Sequence, residues 1–430
     1  VKGSGNAKDT SSSKGDGDDT PAASQDSTDA TDGADGSDSA SDGADSPDLP
    51  DVIATDGSDA TDGVDGQVTD SQDSSDGTDG EGPPDVVTGP DTQADSDGAP
   101  DIEEEEPDTK KPEPTEPPLA SWCFSDQLGP DGKMFVDYDQ YNPVLGTHCK
   151  GTNNQDIKGV ERVVFVGDSI TVGTPPTDSA AWYRNVMAAG LAQRFSLTPP
   201  EWGWQNVDLI KGVSYEMNSG AFWNCSKWGA RTDDLTDMPH QQMITCNPEA
   251  ERTKKTLIVM TMGGNDLFAW AKDVAEGLMT PEQMWTQTEL AVSDFEKSIH
   301  WAVDDPATFP NGVYIVFANT YEFSDQDSGK DLATCPGANL ISMDTALIDP
   351  IFSEMVAWMM GEYMRIAVET GTDMAFMGEH FCGHGYMYNV PEGRCYKGKK
   401  AKLWLDITCM HPSADGHAGI ADLFLSVIDQ

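Results

Sequence analysis

The chain has 430 residues, 75 acidic against 26 basic, and a formal net charge of −49. That balance argues against nucleic acid as a partner, because phosphate contacts need clustered Lys and Arg. No apolar run is long enough to span a bilayer, which argues against a helical membrane protein.

The charge is uneven. Residues 1–118 hold 34 acidic residues, 5 Lys and no Trp, Tyr or Phe, and all eight cysteines fall beyond them. A segment so charged and so poor in apolar side chains cannot bury enough surface to offset its ordering entropy. It reads as a long disordered acidic tail rich in Asp, Ser, Gly and Pro. Residues 119–430 then form one folded domain, large enough for a full core. The tail repeats Asp-Gly, Ser-Asp and Thr-Asp steps without a fixed period. No segment of it has the twelve-residue calcium loop of an EF-hand. It ends in Glu103 to Glu106 and a Pro-rich stretch at 111–118, which charge and proline should extend. The chain starts at Val1 without an initiator Met or a signal sequence. The expectation is a leader upstream and, given the acidic tether, a lipid-modified Cys preceding Val1 on a secreted or cell-surface bacterial protein.

From Trp122 onward the pattern becomes globular. Residues 162–166 form a continuous apolar run that breaks at Gly167 and read as a buried parallel strand. Helical periodicity follows at 179–195. A second buried strand at 256–262 ends in Gly263-Gly264. A helix is predicted over 281–303 with Pro281 in its first turn. A third strand at 312–318 follows, then a helix over 344–370 that Pro350 interrupts near its start. A fourth strand at 374–377 and a helix at 413–428 complete the chain. Such alternation predicts an α/β fold of three layers, a parallel sheet covered by helices on both faces. Ligands in such sheets sit outside the carboxyl ends of the strands.

Eight cysteines without a CxxC pair point to disulfides and an oxidising compartment. Sequential pairing is the preferred reading: Cys123–Cys149, Cys225–Cys246, Cys335–Cys382 and Cys395–Cys409. Free buried thiols at one or two pairs are the alternative.

Polar turns follow the two best strands: Val166-Gly167-Asp168-Ser169-Ile170-Thr171 and Met262-Gly263-Gly264-Asn265-Asp266. Between them lies Asn224-Cys225-Ser226-Lys227-Trp228-Gly229-Ala230-Arg231-Thr232, and near the end His411-Pro412-Ser413-Ala414-Asp415. Together, over residues 160–430, these resemble the four sequence blocks of the GDSL/SGNH hydrolase family. The resemblance implies the SGNH (flavodoxin-like) fold and a serine ester hydrolase of esterase, lipase or phospholipase type. It makes Ser169 the nucleophile and His411 its general base. It places the Ser169 and Gly229 backbone N–H groups and the Asn265 side chain in the oxyanion hole. The chemistry fits the residue types. A Ser hydroxyl needs a base to take its proton, and the oxyanion formed at an ester carbonyl needs preorganised donors. No metal or other cofactor is implied.

The family places an Asp three residues before the His, where this chain has Thr408. Either Asp406 reaches His411 through a local bulge, or a backbone carbonyl orients the imidazole as in the actinobacterial Ser–His esterase branch. Asn224-Cys225 and the segment from Phe381 to Gly385 resemble that branch.

Alternative readings attach to single residues. Ser169 alone could be a helix cap. Asp168 reads as holding the turn, Asp266 as structural, and Gly212 and Gly220 compete weakly with Gly229. His380, His384, Cys382 and Glu379 suggest a metal site only if the segment is helical, which Gly383 and Gly385 oppose. His417 reads as packing in the last helix. Trp202, Trp204, Trp223 and Trp228 read as core, with Trp228 the one suspected of touching substrate. The substrate is a small-molecule, lipid or carbohydrate ester. A carbohydrate O-deacetylase, a thioesterase and a non-catalytic surface binding protein on the same scaffold are the rivals.

Overall fold

A computed structural model of the chain describes residues 118–321 and 350–430. The acidic tail up to 117, Cys335 and the predicted helical residues 344–349 lie outside the described residues.

The apolar runs become strands. In chain order these are β1 (Arg162–Gly167), β2 (Val207–Asp208), β3 (Val213–Ser214), β4 (Asn218–Ser219), β5 (Phe222–Asn224), β6 (Thr256–Thr261), β7 (Val313–Ala318) and β8 (Asp373–Ala375). β2 and β3 form a separate antiparallel pair, and the main sheet has the order β4-β5-β1-β6-β7-β8. Five of its strands are parallel, but β4 runs antiparallel to β5, so the sheet is mixed and not purely parallel as expected. Only two residues, Gly220 and Ala221, separate β4 from β5, a connection that permits antiparallel pairing alone. The five parallel strands follow the flavodoxin-like order, whose switch point falls between β1 and β6.

The helices include α1 (Ser169–Val172), α2 (Tyr183–Phe195), α3 (Gly264–Ala275), α4 (Pro281–Val303), α5 (Pro350–Thr370), α6 (Met377–Phe381) and α7 (Ala414–Ile428). α4 starts where predicted because Thr280 and Gln283 exchange side-chain bonds with each other's backbone N–H, and Pro281 lacks the donor that would otherwise be orphaned. α3 was not expected. The predicted helix at 179–195 is a 3₁₀ turn at Ser179–Ala181 followed by α2, and the predicted strand at 374–377 ends early because Met377 begins α6.

Successive strand residues point to opposite faces, and each face carries its own core. Val163, Phe165, Leu257 and Val259 pack on Met187 and Leu191 of α2 and Ile420 and Phe424 of α7. Val164, Val166, Ile258 and Met260 pack on Phe295 of α4 and Met355, Met359 and Tyr363 of α5. This is the three-layer α/β architecture. Beside β8, Thr152 N–H donates to Met374 O and Phe376 N–H to Lys150 O, which covers that sheet edge.

Two disulfides match the sequential pairing, Cys123–Cys149 and Cys225–Cys246. The other expected pairs are corrected, because Cys382 is bonded to Cys395. The two lie 13 residues apart with Cα atoms 4.9 Å apart, so the turn between them brings together cysteines that the expected pairing kept separate. Cys409 is also disulfide-bonded.

Candidate active site

The site is built on the carboxyl ends of β1 and β6, at the switch point. Gly167 closes β1 with φ +141°, and a Cβ there would collide with the Thr261 carbonyl on β6. Its backbone is held from a third side by Gln242, whose Oε1 accepts from Gly167 N–H at 2.7 Å and whose Nε2 donates to Gly167 O at 3.0 Å. Asp168 then caps α1 by accepting from Ile170 N–H at 3.0 Å, and Thr261 Oγ1 donates to the same oxygen at 3.1 Å. Burial pushes the Asp168 carboxyl up to about 6. Asp168 is thus occupied inside the turn.

Ser169 is the first residue of α1 and half-buried. The far end of that short helix is anchored by Arg184, which is fully buried and donates to Thr171 O at 3.1 Å and Val172 O at 3.2 Å. Burial lowers this guanidinium to about 9. Carbonyls at a helix C-terminus are suited to receive it.

After β6, Gly263 takes φ +108° at the start of α3, and a Cβ there would run into Met359 and Tyr363. The next turn presents Asn265, whose Nδ2 donates to Ala230 O at 2.9 Å. Asp266 is buried and accepts from Thr232 Oγ1 at 2.9 Å and from Thr232 N–H. Burial pushes its carboxyl up to about 7. The second block is therefore tied at both ends, by Lys227 N–H donating to Gly167 O at 3.0 Å and by Ala230 and Thr232 to α3. Gly229 lies between these tethers, exposed, with φ +74°.

His411 arrives from the opposite side on a tight loop. Leu405 and Pro412 form an antiparallel bridge, and Asp406 N–H donates to His411 O at 2.9 Å. Tyr321 O–H holds the neighbouring carbonyl of Met410, and Tyr321 stacks on Phe381 at 4.3 Å. His384 stacks on Trp404 at 3.8 Å, and the carbonyl of Trp404 accepts from Ser413 N–H at 2.6 Å. His411 Nε2 is thereby placed 2.9 Å from Ser169 Oγ. Its Nδ1 faces Thr408 Oγ1 at 3.0 Å, and that hydroxyl is 2.5 Å from Asp406 Oδ1. Neither expected orientation of the imidazole occurs. Asp406 does not touch it directly, and the Nδ1 partner is the Thr408 hydroxyl, not a backbone carbonyl. Burial lowers His411 from its ordinary range, and the Asp406 charge works against that shift.

Ser169, Asn265 and His411 line one cleft together with Ile170, Met262, Phe268, Tyr321, Met377 and Met410. A smaller apolar pocket shares Gly264, Phe268, Thr320 and Tyr321 with it and adds Leu267, Phe352 and Val356. The aromatic lining comes from Phe and Tyr, not from the Trp cluster. Trp204 is core, Trp202 is exposed, and Trp228 donates from Nε1 to Gly173 O at 3.0 Å while packing on Val172, Trp182 and Val207. His417 is buried and accepts from Tyr183 N–H through Nδ1 at 3.3 Å. His380 lies in α6 with Nδ1 2.9 Å from Phe376 O. Among the described residues, no cluster of three His, Cys, Asp or Glu is placed to hold a metal ion.

The GDSL-like lipase/acylhydrolase family profile matches residues 163–424. This chain belongs to that family. It is a hydrolase of ester bonds. Comparison with curated proteins gives no match. Among solved structures, phospholipase A1 from Streptomyces albidoflavus NA297 is 16% identical with a TM-score of 0.39, covering 62% of this chain and 99% of that one. The extracellular lipase of Streptomyces rimosus is 16% identical with a TM-score of 0.37, covering 62% and 100%. A putative GDSL-like lipase from Parabacteroides merdae is 14% identical with a TM-score of 0.37, covering 63% and 96%.

The sequence pointed to Ser169, Asn265 and His411, and these share the cleft. Gly229 is not among the residues that line it, and Asp406 stands one hydroxyl removed. Sequence reasoning missed Thr408, Gln242, Arg184 and Tyr321. Gln242 and Arg184 carry no motif. Thr408 was visible as a departure from the family pattern, and its role needed coordinates.

Proposed function

We propose that the chain is an exported serine carboxylester hydrolase that cleaves acyl esters through an acyl-enzyme on Ser169. The observation that carries the reading is the 2.9 Å approach of His411 Nε2 to Ser169 Oγ inside an apolar cleft at the sheet's switch point. His411 takes the Ser169 proton as Oγ attacks the carbonyl carbon. The oxyanion is met by donors that precede the reaction: the Ser169 N–H, unpaired within α1 because it opens the helix, and the second N–H of Asn265. Gly229 N–H, on the loop tied between Gly167 and Asn265 but exposed and outside the cleft's lining, is the third donor that the family pattern implies. The protonated imidazole then gives its proton to the leaving alkoxide. Water attacks the acyl-enzyme with His411 again as base, releasing the carboxylic acid and restoring Ser169.

The lining favours an acyl chain over an acetylated sugar. Ile170, Met262, Phe268, Met377 and Met410 offer apolar contact, and each buried methylene contributes about 0.8 kcal/mol. Disulfides at Cys123–Cys149, Cys225–Cys246 and Cys382–Cys395 support an oxidising, extracytoplasmic location. No described helix is long and apolar enough to cross a membrane. Residues 1–118 would serve as an acidic tether between a surface anchor and the hydrolase domain at 119–430.

The test is hydrolysis of p-nitrophenyl acetate, p-nitrophenyl decanoate and acetylated xylan by the wild type and Ser169→Ala. The expected result is preference for decanoate and loss of activity, with loss of fluorophosphonate labelling, in the variant. Preference for acetylated xylan would turn the reading to a carbohydrate deacetylase. Absence of both activity and labelling in the wild type would leave a binding protein on a hydrolase scaffold.

A further inference from the structure

Thr408 occupies the position three residues before His411, where an acid that orients the imidazole would stand. Its hydroxyl sits between two groups with opposite needs. Asp406 Oδ1, 2.5 Å away, is a carboxylate oxygen that only accepts. His411 Nδ1, 3.0 Å away, either donates or accepts according to tautomer. A threonine hydroxyl has one proton and two lone pairs. With that proton directed at Asp406, Thr408 Oγ1 has only lone pairs to offer. One faces His411 Nδ1, and the other accepts from the His411 backbone N–H at 3.3 Å. Nδ1 must then carry the imidazole proton, and Nε2 is left bare toward Ser169 Oγ.

We propose that Thr408 is a positioning residue that couples Asp406 to His411 and fixes the tautomer in which Nε2 accepts the Ser169 proton. This inference rests on the reading of Ser169 and His411 as nucleophile and base. The relay Asp406–Thr408–His411–Ser169 stands in for a directly bonded acid. Its geometry is locally determined. Asp406 Oδ1 also accepts from Thr408 N–H at 2.8 Å, and Tyr386 O–H donates to the Asp406 carbonyl at 3.2 Å. Asp406 Oδ2 is buried without a hydrogen-bond partner among the described residues, so the contacts of that carboxylate converge on Thr408. The transition state places positive charge on the imidazole, and the relay answers it by hydrogen-bond polarisation without a proton passing to Asp406.

Four variants and one spectroscopic measurement test this. Thr408→Val keeps the shape and removes the hydroxyl. It should lower kcat about 10- to 100-fold, the usual cost of a lost partner that orients a histidine, with KM unchanged. Thr408→Ser restores the hydroxyl and should return kcat to within about threefold of wild type. Asp406→Asn should fall with Thr408→Val, and the double variant should be no slower than the worse single one, because both remove one relay. Nitrogen-15 NMR of histidine-labelled protein reads the tautomer directly and needs no turnover. Wild-type His411 should be protonated at Nδ1 when neutral, and Thr408→Val should shift it toward Nε2–H. Full activity in a folded Thr408→Val, failure of Ser to rescue it, additive losses in the double variant, or an Nε2–H tautomer in the wild type would overturn the proposal. Absence of ester hydrolysis in the wild type would refute the enzymatic reading, and the tautomer measurement would still decide the relay.

Discussion

The two sides of the cleft are held by different means. Ser169 and Asn265 follow adjacent central strands, β1 and β6, and their turns are fixed by buried groups. Gln242 binds Gly167 from both backbone sides, Thr261 and Asp168 pair beneath Ser169, and Asp266 pins the second block to α3. His411 stands on a loop whose order comes from its own short-range bonds, from Tyr321 below and from Thr408 beside it. The Ser169 side, the proposed nucleophile's, is therefore built on the core, and the His411 side, the proposed base's, is an attachment to it. Strand ends give a reacting atom a position that many contacts determine together. A loop gives an orientation that one hydroxyl can set.

This contrast is broken most severely at Gly167. An Ala there meets the Thr261 carbonyl, and its φ of +141° lies where an L side chain is strained. The β1 and β6 backbones cannot separate without losing the register that brings Gly167 opposite Thr261. Gly167→Ala should cost about 2–5 kcal/mol of stability, from strain and overpacking together. Most of the activity should be lost with it, read as a fall in the denaturant midpoint alongside kcat. A stable Gly167→Ala with normal turnover would mean that the nucleophile side is no more tightly determined than the base side.

A smaller effect is expected at Asn265. Asn265→Ala removes the proposed oxyanion donor and the bond to Ala230 O, but leaves the two strands and the Asp266–Thr232 pairing intact. It should lower kcat by about 10²–10³ with a midpoint close to wild type. The pair of measurements separates the roles, because Gly167→Ala should move stability and activity together and Asn265→Ala should move activity alone.

The same division explains what could be read from the sequence. β1 and β6 are buried on both faces, as are the last four residues of β7, and their continuous apolar runs identified them within a residue or two. The start of α4 was legible because Pro281 marks a first turn, and the structure adds the Thr280–Gln283 exchange that completes the signal. α3 was missed because Gly263-Gly264 reads as a breaker, yet Gly263 is the residue that lets the chain turn into that helix. β5 has three residues and pairs with β1 without a periodic signature of its own. The Cys382–Cys395 bond depends on a turn that spacing does not encode. Ser169, Asn265 and His411 could be singled out because strand-end turns and a pre-helical His-Pro carry local patterns. The Thr408 bridge depends on a hydroxyl direction, which no pattern of residue types states.

The smallest expected effect concerns Asp266, and it sharpens the comparison through pH. Asp266 lies almost fully buried beneath the second block and accepts from Thr232. Burial raises its carboxyl from 3.8 to about 7, and the Thr232 bonds offset only part of that. Between those two values the folded chain keeps a proton that the unfolded chain has released. The native state therefore binds more protons there, and stability falls as pH rises through this window. Asn at 266 cannot titrate, and its side-chain oxygen can still accept from Thr232. Asp266→Asn should thus differ least from wild type near pH 4 and gain on it progressively up to about pH 7, with a constant offset beyond. Asp168, raised to about 6 by its own burial, bends the absolute curves in the same direction but is common to both proteins and cancels in the difference. Urea midpoints of both proteins between about pH 4 and about pH 8 measure this difference directly. An offset that stays constant across the window would mean that Asp266 is ionised throughout and that water or a shift of the 229–232 loop reaches it. The nucleophile side would then be less completely buried than its hydrogen bonds indicate, and the contrast with the His411 loop would be one of degree.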